Sequence, residues 1–492
     1  MGLIRPAPTY VIDFRSVART LGALILALSA AMLLPLGWSL YLGGDDWPVF
    51  GACILVLSVP GLLLTRLQPE SKMRLREALL IVSVGWVVCA SAGAFPFILT
   101  GSVPTFVDAL FESMSGLTTT GATVVKDIEG LPPGIMYWRS LLHWLGGLGI
   151  IVIFLALLPQ VGLGGTQLFQ AEVPGPQVQR LRPKLRETAK VLLWIYLALT
   201  AAQTLALTAA GMSFFEAQIH TFGTIATGGF SSRADSIGAF DSALIEAIII
   251  AFMVAAGTSF TLYYRAVFLS DRGVFLRDRE IRWYLGLMAL ATAVVTVSLL
   301  RGPGGTGLME SLRHGFFQVV SILTTTGYVT ADFDAWPETP RLVLLLLMFV
   351  GASAGSTGGA IKIKRWVILG RHIYREIIQT IHPAAVLTVT HGEEVVPESL
   401  VRRVAAFVGL YLLLFVLGAG YMTWLGLDLI SSISASAATI GNIGPGLGSV
   451  GPMLDYEAIP QSGKVVLSLF MLLGRLELLT VLAVLTPAFW RR

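Results

Sequence analysis

The sequence predicts an all-α membrane protein: four pseudo-symmetric copies of a helix, re-entrant loop, helix unit, preceded by two extra N-terminal transmembrane helices. Three observations carry this prediction. Only 13% of the 492 residues are charged and 55% are hydrophobic, whereas a soluble domain carries about 25% charged residues. Apolar runs near the ~20 residues needed to cross a bilayer recur along the chain, without the alternating pattern of a β-barrel. A Thr/Gly segment returns four times between those runs. A mean hydropathy of +0.76 agrees.

The apolar runs lie at 20–43, 49–65, 77–100, 136–159, 189–210, 241–264, 283–300, 342–361, 404–425 and 464–485. Their connections alternate in charge. One set carries Arg66, Lys72, Arg74 and Arg76, then Arg180 to Lys190, Arg265 to Arg282, and Lys362 to Arg375 with Arg402 and Arg403. The other set holds few bases and many acids, among them Asp108, Glu112, Glu216, Glu310, Asp428 and Asp455. The positive-inside rule puts the basic set, and both termini, in the cytoplasm of a bacterial inner membrane protein. Basic clusters that flank spans are explained by topology, so no nucleic acid is expected as a partner; the lipid bilayer is. Cys53 and Cys89 both lie in apolar runs, which argues against a disulfide framework. The first run is long enough to span and lacks a cleavage site, so the N-terminus reads as an anchor rather than a signal peptide.

The recurring segments read Leu117-Thr-Thr-Thr-Gly121-Ala-Thr, Ile225-Ala-Thr-Gly228-Gly-Phe, Leu323-Thr-Thr-Thr-Gly327-Tyr and Ala438-Thr-Ile-Gly441-Asn-Ile-Gly. Aligning Gly121, Gly228, Gly327 and Gly441 divides the chain into an N-terminal extension (1–70) and four units (71–165, 180–270, 280–385 and 400–492). Each segment follows a semi-apolar stretch of ~10–12 residues, too short to cross a bilayer and therefore re-entrant. Non-helical backbone at membrane depth survives only where protein buries it or it lines a watery cavity. Thr/Gly segments cannot seal a core, but glycine lets closely spaced carbonyls turn inward. Four such segments around one central axis form rings of oxygen that replace a cation's hydration shell. The expected ligands are the backbone carbonyls of Thr119, Thr120, Gly121, Ala226, Thr227, Gly228, Thr325, Thr326, Gly327, Thr439, Ile440 and Gly441. The half-helices would aim the negative ends of their dipoles at the same cation.

Two features inside the spans also point to an ion path. The run from Leu342 is interrupted by Gly351, Gly355, Gly358 and Gly359. A straight helix would pay about 1 kcal/mol per glycine, so a broken helix with its loop facing a cavity is expected. Arg475 falls in the middle of the last run, where a charge costs at least ~2.5–3.5 kcal/mol and usually faces the bundle interior. Glu477, two positions on, lies on a different helical face.

Taken together, the Thr/Gly segments, Arg-Ser-Leu-Leu-His-Trp-Leu-Gly-Gly-Leu-Gly (139–149), Gly-Ala-Ser-Ala-Gly-Ser-Thr-Gly-Gly (351–359) and Gly-Arg-Leu-Glu (474–477) resemble the TrkH/TrkG/KtrB superfamily of potassium-uptake proteins, and most of all its TrkH members. The resemblance covers nearly the whole chain. It implies a gated channel-like pore for K+ uptake, with the Thr/Gly segments as one selectivity filter. Glycine in all four loops goes with potassium preference; the departure from Thr-x-Gly-Tyr-Gly implies looser selection, with some Na+ or Rb+ passage. It further implies that the 351–359 loop and Arg475 obstruct the pore below the filter. The family assembles as homodimers with a cytosolic nucleotide-binding regulator of the TrkA type, for which 179–190, 265–282 and 362–375 are the expected docking stretches.

No cofactor is expected: the six histidines show no metal-ligand spacing, and no Walker-type loop is present. An intramembrane enzyme would need a nucleophile–base pair or metal pair in the spans, and none is apparent. The principal alternative is an H+- or Na+-coupled secondary transporter of potassium or sodium, which would favour inverted halves and ionisable residues mid-span.

Overall fold

The computed structural model describes residues 12–70, 73–157, 185–271, 273–302, 307–391, 394–476 and 478–490. Within them the chain is mostly helical; the rest is loops, the longest of them after the short helices and at 351–362, and one antiparallel pairing of Thr390–His391 with Glu394–Val395. Glu477 and the basic stretch 179–184 lie outside the described residues.

Helices α1 (Phe14–Ala31) and α2 (Leu33–Leu42) form one 29-residue apolar stretch, and α3 (Trp47–Thr65) packs beside it. Gly22 and Gly61 set that contact: a methyl on Gly22 would strike the Leu64 side chain and the Gly61 carbonyl. Lipid tails supply no hydrophobic drive between helices, so close approach at small residues does the packing. Next come α4 (Leu75–Leu99), α5 (Phe106–Leu117), α6 (Pro133–Leu157), α7 (Leu185–Ala209), α8 (Phe214–Ile225), α9 (Ala243–Ala256), α10 (Phe260–Phe268), α11 (Val274–Arg277) and α12 (Arg279–Arg301). The remainder is α13 (Leu308–Leu323), α14 (Glu338–Val350), α15 (Ile363–Ile381), α16 (Glu398–Trp424), α17 (Leu429–Ile440), α18 (Gln461–Arg475), α19 (Leu478–Leu485) and α20 (Pro487–Trp490).

Among the described residues, six helical stretches are long and apolar enough to cross a membrane. Two expected straight spans, 241–264 and 464–485, are instead bent pairs. α9 and α10 meet at 88°, and α18 and α19 at 116°. Arg475 therefore closes a helix rather than sitting inside one. Non-local partners make the first break tolerable: the Phe260 amide donates to the Gly355 carbonyl (3.0 Å) and the Ser353 amide to the Gly257 carbonyl (3.1 Å). Backbone freed from a helix in a membrane needs such partners. α14 stops at Val350, where Gly351 takes φ +74°, and helix resumes only at Ile363.

The short helices α5, α8, α13 and α17 sit deep in the protein, buried along most of their length. Three begin on a side-chain cap. Thr105 accepts from the Asp108 amide (3.2 Å), Ser213 from the Glu216 amide (3.2 Å) and Asp428 from the Ser431 amide (3.1 Å). These bonds satisfy donors that a helix start leaves open.

Candidate functional site

All four short helices end in the same turn. The amides of Thr119, Thr227, Thr325 and Asn442 donate to carbonyls three residues back, at 3.0–3.3 Å. Those of Thr120, Gly228, Thr326 and Ile443 donate five residues back, at 2.7–2.9 Å. This bond pair is the Schellman helix ending, whose left-handed residue is usually glycine. Here it is Thr119 (φ +53°), Thr227 (+55°), Thr325 (+59°) and Asn442 (+54°). A β-branched residue in that region is strained, and such strain gathers at functional sites. Glycine comes two residues later, at Gly121 (φ +84°), Gly229 (+82°), Gly327 (+82°) and Gly444 (+102°).

In loops one and three each threonine of Thr-Thr-Thr-Gly has a separate local task. Thr118 and Thr324 donate their hydroxyls to Met114 and Val320 carbonyls, both at 2.7 Å. Thr119 and Thr325 make the left-handed turn. Thr120 and Thr326 bond back to Thr118 and Thr324, both at 2.8 Å.

The four glycines then close a circle. A side chain on Gly121 would strike the Gly228 carbonyl; on Gly229, the Thr326 carbonyl; on Gly327, the Ile443 carbonyl; on Gly444, the Thr120 carbonyl. Each segment thus abuts the next, and the fourth returns to the first. All four glycines line one vestibule of ≈ 110 Å³, together with Lys126, Arg233, Asp455 and Tyr456.

This geometry corrects the register expected in loops two and four. Ala226 is the C-cap of α8 and Gly228 matches Thr120, so the matching glycine is Gly229. Thr439 and Ile440 are the last residues of α17 and Gly441 is its C-cap; the turn is Asn442-Ile443-Gly444. A signal for loop two was present, because Phe230 follows Gly229 as Tyr328 follows Gly327. Gly229, Asn442, Ile443 and Gly444 were absent from the residues expected of the site.

A buried polar shell holds the ring. Arg139 pairs with Glu112 (2.7 Å; 1% and 0% exposed) and stacks its guanidinium over Phe230 at 4.3 Å. Glu112 also accepts from the Val124 amide (3.0 Å) and the Thr123 hydroxyl (3.0 Å). The His143 ring lies 2.7 Å from the Gly116 carbonyl through Nδ1 and accepts from the Phe230 amide through Nε2 (3.2 Å), tying segment one to segment two. The Tyr328 hydroxyl donates to the His220 carbonyl (2.9 Å), and the Tyr456 hydroxyl to the Gly444 carbonyl (2.8 Å). Lys464 pairs with Asp108 at 2.6 Å, joining α18 to α5. Removing one partner of a buried pair strands the other charge, at about 3–5 kcal/mol. Glu112→Ala is therefore expected to lower the apparent melting temperature of the detergent-solubilised protein markedly; an unchanged transition would contradict this role for the pair.

The glycine motifs outside the loops serve approach. A side chain on Gly146 would hit the Leu117 carbonyl, and one on Gly474 the Ile440 carbonyl. Both long helices can therefore press on half-helix ends.

The 351–359 loop lies directly against the turns. The Gly359 amide donates to Thr325 Oγ1 (2.8 Å) and the Ala360 amide to the Gly441 carbonyl (3.1 Å). The Thr357 hydroxyl reaches the Ile225 carbonyl (3.1 Å), and Gly358 lies near the Thr324 carbonyl. Arg475, 6% exposed, donates from Nη1 to the Thr357 carbonyl at 2.5 Å. Asn442 connects both parts: Nδ2 donates to Thr120 Oγ1 (3.0 Å) and to the Met471 carbonyl (2.8 Å), one turn before Arg475. Among the described residues, no cluster of three or more His, Cys, Asp or Glu has the makings of a metal site.

A polytopic membrane protein whose re-entrant helices end in a closed ring of strained turns beneath a vestibule is built as a cation-transport protein. The comparisons agree. The TrkH family profile, described as a cation transport protein, matches residues 49–491. The chain is 40% identical over 487 residues to the Trk system potassium uptake protein TrkH of Halomonas elongata, covering 98% of this chain and all of that one. It is 35% identical to TrkG of Escherichia coli, over 97% of this chain and 99% of that one. The crystal structure of the potassium transporter TrkH from Vibrio parahaemolyticus superposes with a TM-score of 0.88 at 37% identity, covering 98% of this chain and all of that one. The chain belongs to the TrkH family.

Proposed function

We propose that this protein takes up potassium through a gated, channel-like pore as the membrane subunit of a Trk system. The closed circle of contacts among the four turns carries the reading. With Thr119–Gly121, Thr227–Gly229, Thr325–Gly327 and Asn442–Gly444 around one axis, backbone oxygens take the place of water around a dehydrated ion. Four short helices end at the same place, and their dipoles favour a cation there. Glycine at 121, 229, 327 and 444 supports potassium as the preferred ion, with Na+ and Rb+ as minor passengers. The corrected register leaves the division into 1–70, 71–165, 180–270, 280–385 and 400–492 as the four-unit organisation we favour.

The loop at Gly351, Gly355, Gly358 and Gly359, with Arg475 bonded to it, is the gate in this reading. The charge pattern favours cytoplasmic termini in the bacterial inner membrane. Family membership favours a homodimer and a cytosolic nucleotide-binding regulator of the TrkA type, with ion passage rather than enzymatic turnover as the activity. Purified full-length protein in a planar bilayer is expected to carry ohmic, potassium-selective current that falls when sodium replaces potassium. Flux that requires proton counterflow would replace the pore with a coupled carrier.

A further inference from the structure

We infer that Glu280 is a positioning residue of the gate, holding the loop closed through Ala354, three residues before the Thr357 carbonyl that Arg475 engages. The inference rests on the reading of 351–359 as gate. Glu280 is the second residue of α12, only 8% exposed, and its Oε1 accepts from the Ala354 amide at 2.5 Å, across 74 residues of sequence. A carboxylate is rarely buried unless it has a specific partner; here that partner is the backbone of the loop itself. The groups that act on Glu280 electrostatically are Lys364 and Lys362, where the loop runs into α15, and Asp278 on its own turn. Lys364 is itself 5% exposed.

The rest of α12 supports the same edge of the loop. Tyr284, one turn after Glu280, places its hydroxyl where a side chain on Gly257 would fall, and Gly257 accepts the Ser353 amide. Ser353 and Ala354 are thus pinned to α9 and α12, while Thr357 is pinned to Arg475. The loop is held between a carboxyl oxygen that accepts from one of its amides and a guanidinium that donates to one of its carbonyls. A hydrogen bond to an ionised group is roughly twice as strong as a neutral one, which applies to the Arg475 guanidinium and to Glu280 in its carboxylate form. Releasing Ala354 removes a bond to the loop that does not involve Arg475, so movement of α12 becomes a second route for opening.

The test uses full-length protein in planar bilayers, with single-channel recording. Glu280→Ala is expected to raise open probability roughly tenfold, the size of a lost bond to a charged group. Unitary conductance and the potassium-to-sodium permeability ratio stay at wild-type values, which damage to the filter would not allow. Glu280→Gln keeps shape and an acceptor oxygen but loses the charge, and is expected to raise open probability by less. Unchanged open probability in Glu280→Gln and Glu280→Ala, with Arg475→Ala raised, overturns the role of Glu280 and leaves the gate standing. If none of the three variants alters open probability, the gate reading falls and this inference with it. Should the alanine variant fail to assemble, the near-isosteric glutamine variant decides alone.

Discussion

Replacing Arg475 by alanine is expected to raise rubidium uptake into proteoliposomes roughly tenfold in the absence of any regulator, since removing about 1.4 kcal/mol of barrier is one factor of ten. Arg475 is 6% exposed and bonded to the Thr357 carbonyl, so its charge is held beside the loop rather than released to solvent. Screening by water is weak in such a place, and even an effective dielectric of 20 leaves several kcal/mol between unit charges at contact distance. With the 351–359 loop and Arg475 as the proposed gate, a cation leaving the ring of turns would meet that charge. The alanine variant also loses the donor to Thr357, so the loop is loosened and the barrier lowered together. Arg475→Lys separates the two effects: it keeps the charge but not the planar geometry of the guanidinium, and is expected to fall between wild type and alanine. Rubidium uptake equal to wild type in the alanine variant would remove Arg475 from the gate.

Gly444→Ala is expected to lower the potassium-to-sodium permeability ratio roughly tenfold, through ~1–2 kcal/mol of left-handed strain and displacement of the carbonyl beside it. Gly444 holds φ +102°, and a side chain there would press on the Thr120 carbonyl of the first segment. The same substitution three residues earlier, Gly441→Ala, serves as the comparison. Gly441 has φ −82°, which any residue accepts, and its added methyl would meet the Ala437 and Met348 carbonyls and the tip of the Ile443 side chain rather than the backbone of a neighbouring segment. That variant is expected to lose stability while keeping its permeability ratio. Reversal-potential measurements with paired potassium and sodium solutions decide between them. A ratio that collapses in Gly441→Ala and survives in Gly444→Ala would restore the uncorrected register.

Loops one and three were legible because their chemistry is local. Three threonines and a glycine each satisfy a bond or an angle within six residues, so the spelling and the turn coincide. Loops two and four each offer two glycines, Gly228 with Gly229 and Gly441 with Gly444. Composition cannot choose between them, because the choice depends on which residue faces a segment about a hundred positions away. The breaks at Gly257 and after Arg475 were hidden for a related reason. Each break falls on a short polar stretch, Gly257-Thr258-Ser259 or Arg475-Leu476-Glu477, inside a run that is apolar on both sides, and the partners that tolerate the first lie in the 351–359 loop. Glu280 gave no signal at all, because a carboxylate at the start of a helix is common and its amide partner is 74 residues further on.

By itself the sequence determined the membrane class, the four short helices with their Thr/Gly endings, and the interruption at Gly351. Each follows from local propensity or from the hydrophobic thickness of a bilayer. Only the tertiary structure decided which glycines meet, where two spans bend, and that Glu280 and Arg475 bond to Ala354 and Thr357 of one loop. Those outcomes depend on backbone groups finding partners across the bundle, and no nearest-neighbour rule carries that information.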